Sequence, residues 1–394
     1  MISVENFYWA LYENLLGPSG IDCWYYFPFG TTQNLSGVGQ FQDWRGKQPH
    51  VLFHFDQEPL WQNNLGDAYE INSMTAHSIK IPRMLANSEH SEIKKTVCRQ
   101  RSMLDWYFFY HGFAAHDWFR DTRYLGDCIK PSKVFVSLNH LTQHKRNYRL
   151  ALSARLMAKG LEHHGSISLH TTRDQCEHEI NRPDPNLSNT SRCLISQHMI
   201  EKSVPLPLIL DRHEIDSSFS ARFGREEYNL WQKSFLHVVN ETVFYDKKLH
   251  LTEKIFKPIV SMRPFILVAA PGNLQYLKSY GFRTFDRWID ETYDSIEDND
   301  SRLDAITNQI EILCKMHPHT LHDMLNDMHD TLIYNKQHFF TNFKKIIIDE
   351  LVDNFDTCVR IWNNGRIDPD RRILCNIDMS KIKNVLAGTV IVGT

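Results

Sequence analysis

Short apolar runs of β character alternate with amphipathic helical stretches along most of the 394 residues. The alternation breaks once, at a polar stretch with a proline over 126–132, and then restarts. This pattern restricts the fold more than any other feature. Strands that alternate with helices pair in parallel and bury both sheet faces under the helices. Before the break, strands are predicted over 50–55, 83–87 and 105–110. Helices are predicted over 4–16, stopped by Gly17-Pro18, from a Ser88 N-cap through Val97, and over 114–124. After it, strands are predicted over 133–138, 235–239 and 265–269, and a helix over 147–159 with Gly160 as its stop. A further helix opens at Thr252. Leu303, Ile306, Ile310 and Leu313 line one late helix, and Leu321, Leu325, Met328 and Leu332 line another. The expectation is an α/β chain of two Rossmann-like domains facing a cleft, over 1–129 and 130–345. A helical tail over 346–394 follows, and the pattern leaves open which domain it joins.

Composition narrows the function classes. Lys plus Arg number 44 and Asp plus Glu 47, a net charge of −3, so no bulk basic footprint for nucleic acid is present, although a local basic groove stays open. The eight cysteines stand singly without a CxxC pair, which suits reduced thiols of a cytoplasmic protein better than a disulfide frame or a zinc site. No apolar run approaches the length of a membrane span, and Met1–Asn6 shows no basic start to a secretory leader. The chain lacks GxxxxGK[ST], GxGxxG and Gly-x-Ser-x-Gly patterns, so ATPase, dinucleotide-binding and serine-hydrolase chemistry fall away.

The segment from Phe235 to Phe256 carries the most chemistry. It reads as a buried strand ending in Asn240-Glu241, a polar loop containing Tyr245, and a helix start with Thr252, Glu253 and Lys254. A carboxylate at such a place suits ribose hydroxyls, and a lysine beside backbone N–H groups suits a diphosphate. The same residues also suit a plain capped helix with solvated charges. Pro258, about six positions in, removes a backbone hydrogen bond from a helix that starts at Thr252, so either the helix kinks or it starts elsewhere. A second strand–loop, Phe135-Val-Ser-Leu-Asn-His-Leu-Thr-Gln-His-Lys-Arg-Asn147, places Asn139, Lys145 and Arg146 after a strand. Arg binds phosphate oxygens bidentately and stays charged, while a solvated basic loop of His144, Lys145, Arg146 and Arg149 is the plainer alternative.

The order Glu241, Tyr245, Thr252-Glu253-Lys254, then "VSMRPFILVAAPG" over 260–272, resembles the donor-binding half of the α1,3-fucosyltransferase family. That resemblance implies a GT-B glycosyltransferase with a nucleotide-diphosphate sugar, GDP- or UDP-linked, as donor substrate and no separate cofactor. It implies donor contacts from Glu241, Tyr245, Glu253 and Lys254. The 135–147 stretch is similar to the family's donor-diphosphate loop, which implies Arg146 as phosphate ligand with Asn139 and Lys145 beside it. Phe53-His-Phe-Asp-Gln-Glu-Pro-Leu60 is similar to the family's acceptor-domain stretch near the catalytic base. Glu58 is the first candidate for that base and Asp56 the second, with turn capping before Pro59 as the structural alternative. The segments around 56–60 and 109–118 also resemble uncharacterised glycosyltransferase-like proteins of tailed phages, which implies the cytoplasm of a host cell as the setting.

Metal chemistry is not expected. His317, His319, His322 and His329 cluster in sequence, but His322 and His329 stand two helical turns apart and no HExxH is present. The two Asp-x-Asp triplets, Asp298-Asn-Asp300 and Asp368-Pro-Asp370, follow no strand. The expectation is therefore an inverting, metal-independent transfer of a sugar to an acceptor hydroxyl, the acceptor being a glycan or modified DNA. The rivals are a phage transferase acting on a hydroxymethylated DNA base, and a non-catalytic carbohydrate- or nucleic-acid-binding protein.

Overall fold

The computed structural model describes residues 23–26, 42–43, 51–56, 59–60, 83–100, 103–120, 122, 130–211 and 225–364. The chain divides into two compact units, residues 1–117 with 342–394, and residues 118–341. Both are α/β, and each is built on a sheet of mainly parallel strands. The helix expected over 4–16 lies outside the described residues.

The first unit holds β1 (Cys23–Tyr26), β2 (Gln42–Asp43), β3 (Val51–Asp56), β4 (Arg83–Asn87) and β5 (Leu104–Tyr107) in the order β2-β1-β3-β4-β5. Only the β1–β2 pair is antiparallel. Asp56 is paired with Asn87, and Asn87 with Tyr107, so three strands end in one row. Helix α1 (Glu92–Gln100) starts later than the sequence predicts. Its cap is Ser91, whose Oγ accepts from Lys94 N at 3.0 Å, and Ser88 is buried. Helix α2 spans Tyr110–Trp118, ahead of the predicted 114–124, because strand β5 already ends at Tyr107.

The chain returns to this unit at its C-terminal end. Helix α12 (Lys344–Asn364) lies against β5, the edge of the sheet. Asn354 Nδ2 donates to Tyr107 O at 3.2 Å and Cys358 Sγ to Asp105 O at 3.3 Å, so strand carbonyls at the edge gain partners. Trp106 Nε1 donates to Leu351 O at 3.1 Å. Gly112 is required where Phe343 crosses α2, since a Cβ there would lie 2.9 Å from the Phe343 ring.

The second unit holds β6 (Lys133–Asn139), β7 (Gly165–Leu169), β8 (Ser234–Asn240) and β9 (Phe265–Val268), all parallel, in the order β7-β6-β8-β9. Between them run α3 (Tyr148–Ala158), α4 (Arg173–Asn181), α5 (Asn189–Ile195), α6 (Arg225–Gln232) and α7 (Phe256–Val260), and α8 (Asn273–Ser279) follows β9. Helices α9 (Asn299–Lys315), α10 (Pro318–Asp327) and α11 (His329–His338) follow. Gly160 takes φ +68 after α3, as a helix stop should. The stripe Leu321, Leu325, Met328 and Leu332 is buried as predicted, but it spans two helices that meet at Met328. The core comprises Phe135, Leu150, Phe235, Leu236, Ile266, Ile306 and Ile310, all fully buried, each stabilising by about 1.5–3 kcal/mol. No helix among the described residues is long and apolar enough to cross a membrane.

Strand order fixes where a ligand fits. The chain passes from β6 to β7 on one side, then returns to lay β8 and β9 on the other side of β6. The order reverses between β6 and β8, and crevices of this kind at strand C-termini are where α/β sheets bind ligands.

Candidate functional site

The strands flanking the reversal end in Asn139 and Asn240, both buried. Asn139 Nδ2 donates to Ser168 O at 3.2 Å and Ser137 Oγ at 3.3 Å, and Asn240 Nδ2 donates to Ser137 Oγ at 3.0 Å. These acceptors orient both amides, and both Oδ1 atoms are buried without a hydrogen-bond partner among the described residues.

Two stretches about a hundred residues apart are joined here. Arg149, 4% exposed, donates from Nη1 to Leu141 O at 2.7 Å and from Nη2 to Asn240 O and Glu241 O, each at 3.0 Å. Tyr148 donates its hydroxyl to Glu241 O and stacks on Phe244 with ring centroids 4.4 Å apart. Arg149 is thus a buried clamp between the loops after β6 and β8, not part of a solvated basic loop. His144, Lys145 and Arg146 form one 3-10 turn ahead of α3, and His144 takes φ +55. Arg146 and Lys145 are half-buried.

Beyond β8, Glu241 is fully buried and its carboxylate is consumed locally. It accepts from Thr252 Oγ1 at 2.5 Å, Thr252 N at 3.2 Å and Thr242 N at 3.3 Å. Burial pushes its acidity down, that is, its pKa up, against the pull of Lys254 and the Thr252 hydroxyl. Thr252 caps a 3-10 turn, Glu253–Ile255, and the α-helix proper is α7. Pro258 thereby falls at the third position of α7, where its missing N–H leaves no intrahelical bond unmade. Lys254, one third exposed, reaches Thr252 Oγ1 and Glu253 Oε1, each at 3.2 Å, and Thr242 Oγ1 at 3.5 Å. Tyr245 donates its hydroxyl to Asn147 Oδ1 at 2.5 Å, and burial raises its pKa.

The turn after β9 buttresses this loop. Gly272 takes φ +83, and Asn273 Nδ2 donates to Lys248 O and Ala270 O, each at 2.8 Å, while Oδ1 accepts from His250 N at 2.8 Å. Asp294 accepts from Leu274 N at 3.0 Å and Gln275 N at 3.2 Å, fixing the start of α8.

Asn139, Lys145, Arg146, Glu241, Tyr245, Glu253 and Lys254 thus belong to the loops at one sheet reversal. Lys254, Lys145, Arg146 and Glu253 keep partly exposed side chains, whereas Glu241 is sealed and Tyr245 turns its hydroxyl to Asn147. Sequence reasoning missed Asn147, Arg149 and Glu179 as organisers. A polar side chain inside an otherwise apolar helix start was the signal for the first two.

In the first unit, Asp56 closes β3, and Glu58 lies outside the described residues. Two residues on, Leu60 N donates to Glu89 Oε2 at 2.7 Å, and Ser91 Oγ donates to Glu89 Oε1 at 2.5 Å. Glu89 is fully buried and ties the Pro59-Leu60 segment to the end of β4. The sequence reading overlooked it.

The remaining candidates have structural employment. Asp298 caps α9 by accepting from Ser301 N at 2.8 Å, and Asp300 receives Arg155 Nη2 at 2.7 Å. Asp368 and Asp370 lie outside the described residues. His317 caps α10, and His319 pairs with Asp323 at 2.8 Å. Among the described residues, no group of three or more His, Cys, Asp or Glu side chains is arranged to hold a metal ion. Comparison with protein families, with curated proteins and with solved structures returns no match to this chain.

Proposed function

We propose that the chain is a GT-B glycosyltransferase that moves a sugar from a nucleoside-diphosphate sugar to an acceptor hydroxyl. The observation that carries this reading is the convergence of the 135–147 and 235–256 stretches. The first carries residues suited to phosphate and the second residues suited to ribose and phosphate; they meet at the β6/β8 reversal and are pinned together by Arg149 and Tyr148. Lys254, Lys145 and Arg146 hold the diphosphate and offset the charge that grows on it as the bond to the sugar breaks. Glu253 accepts from ribose hydroxyls, and Asn139 and Asn240 shape the floor of the crevice at the ends of β6 and β8. Glu241 and Tyr245 act through others: one fixes Thr252 ahead of Lys254, the other fixes Asn147 behind Arg146.

The acceptor and its base belong to the first unit in this reading. Glu58, or Asp56, takes the acceptor proton while the acceptor oxygen bonds to the anomeric carbon. The carbon–oxygen bond to the diphosphate breaks with its electron pair leaving on phosphate, and the configuration inverts. Because cationic side chains supply the neutralisation, the reaction is expected to proceed without an added divalent ion.

The test is a thermal-shift titration with GDP, UDP and their sugar conjugates, with and without EDTA, on wild type and Lys254→Ala. A ligand at 100 times its Kd adds about 2.7 kcal/mol to the stability of the form that binds it. A shift for one nucleotide, kept in EDTA and lost in Lys254→Ala, supports the reading and names the base. No shift for any nucleotide or conjugate refutes it.

A further inference from the structure

Beneath the basic turn, the Asn147 that Tyr245 fixes belongs to a larger buried polar network. Asn147, fully buried, donates from Nδ2 to Glu179 Oε2 at 3.2 Å and to Asp184 Oδ2 at 3.0 Å. Glu179 Oε2 also accepts from His144 N at 3.1 Å. Arg182 Nη2 reaches Glu179 Oε2 at 3.1 Å and Asp184 Oδ2 at 2.9 Å. Two carboxylates thus face one guanidinium, and the neutral Asn147 amide lies between them. Burial works against the Asp184 charge, but the Asn186 N–H, the Asn147 amide and Arg182 outweigh it and hold its pKa below the ordinary range.

This arrangement is costly unless it fixes something. Burying Glu179 with one oxygen unpartnered among the described residues sacrifices solvation, and His144 occupies left-handed backbone space that only a few per cent of non-glycine residues take. Both costs are incurred at the same turn. Glu179 binds the His144 N–H and so holds the strained residue, and the turn closes through Arg146 N to Gln143 O at 3.0 Å and Asn147 N to His144 O at 3.1 Å. From the other side, the Tyr245 hydroxyl grips Asn147 Oδ1.

We infer that Glu179 and Asn147 are positioning residues that set the presentation of Lys145 and Arg146 to the diphosphate of the ligand, with Tyr245 locking them to the loop after β8. The inference rests on the nucleoside-diphosphate reading of the site. A network of this kind acts on the phosphates and leaves the nucleoside end alone. Its signature is therefore a change in the preference for nucleoside diphosphate over monophosphate, not a uniform loss.

Calorimetric titration of GDP against GMP, and UDP against UMP, tests this on wild type, Glu179→Ala, Glu179→Gln and Tyr245→Phe. Tyr245→Phe is expected to cut the diphosphate preference about tenfold, the factor carried by one lost hydrogen bond to a buried polar group, and Glu179→Ala, which removes the bonds to His144 N, Asn147 Nδ2 and Arg182 Nη2, by at least as much. Glu179→Gln keeps an acceptor for the His144 N–H and is expected to restore most of it. Tyr245→Phe keeps the ring and folds even where Glu179→Ala does not. An unchanged preference in the variants overturns the inference, as does an equal loss of monophosphate and diphosphate binding. Wild type that binds no nucleotide overturns the site reading itself, whereas wild type that binds with a preference the variants retain overturns only the positioning role.

Discussion

Replacing Arg149 with Met tests whether the two strand-end loops are held by this side chain. The guanidinium donates to three main-chain carbonyls, Leu141, Asn240 and Glu241, at 2.7, 3.0 and 3.0 Å, and is 4% exposed. Each hydrogen bond to a charged group contributes about 1.5–3 kcal/mol, so the gross loss is about 4.5–9 kcal/mol. Leu141 is 53% exposed, so water re-solvates its carbonyl, and the Met side chain recovers apolar contact. The net expectation is about 3–5 kcal/mol, in line with removing one side of a buried charged contact. A global melt of a two-unit chain does not isolate this term, so hydrogen exchange over peptides 133–150 and 234–256 is the assay. Opening free energies in both peptides should fall together by that amount, with Arg149→Lys in between. A loss below about 1 kcal/mol, or a loss confined to one peptide, refutes the clamp.

Asp298→Ala is expected to cost about 1 kcal/mol through the lost α9 cap, read by exchange in peptides over 299–315, with no change in the response of ligand binding to divalent ions. His237 is buried, with its pKa pushed down to about 3 by burial first and by the nearby Arg263 and Lys257 charges, opposed by the bond to Trp231 O. The unfolded chain therefore binds one more proton between about pH 6.5 and 3, and stability falls as pH drops through that window. His237→Gln should flatten the acid side of the stability profile by up to about 1.4 kcal/mol per pH unit, measured by urea unfolding between pH 4 and 7. Alkylation mapped by mass spectrometry should label Cys193 ahead of Cys98, Cys176, Cys314 and Cys358. Cys193 is exposed, whereas burial raises the other four thiols to about 12.

The strands most legible in the sequence were those with continuous apolar runs. Lys133–Asn139, Ser234–Asn240 and Phe265–Val268 lie within a residue of where the pattern puts them, because strands covered on both faces read as continuous apolar runs, and every residue of Ser234–Asn240 and Phe265–Val268 is buried. Gly165–Leu169 escaped notice: its sequence GSISL alternates small polar and apolar residues and holds no continuous apolar run. The start of α7 was misplaced because Thr252 caps a 3-10 turn before the α-helix begins, and Pro258 was the warning. The split late helix was invisible because Met328 closes one segment without interrupting the apolar stripe. At the site, residue types and order were legible, but burial was not. Nothing in the sequence separates Glu241, with its carboxylate consumed by Thr252 and Thr242, from Glu253 twelve residues on, at 14% exposure.

That separation decides what substitutions at the β6/β8 crevice report. Arg149, Asn273, Arg302 and Glu241 spend their polar atoms chiefly on backbone groups of the loops: Arg302, for one, donates to Phe244 O and Asn299 Oδ1, each at 2.8 Å, with its guanidinium 4.1 Å from the Phe244 ring. Changing any of them moves the loops, so loss of ligand binding would accompany loss of local stability and carry no information about contact. Lys254, Lys145 and Arg146 keep partly exposed side chains that a ligand can reach. A ligand effect that exceeds the local stability effect is therefore expected only from this second group. The Asn147–Glu179 network stands between the two, buried like the first but tied to the basic turn. A selective change in phosphate preference, rather than the size of any loss, is what distinguishes a site built to hold a diphosphate from loops that are merely well folded.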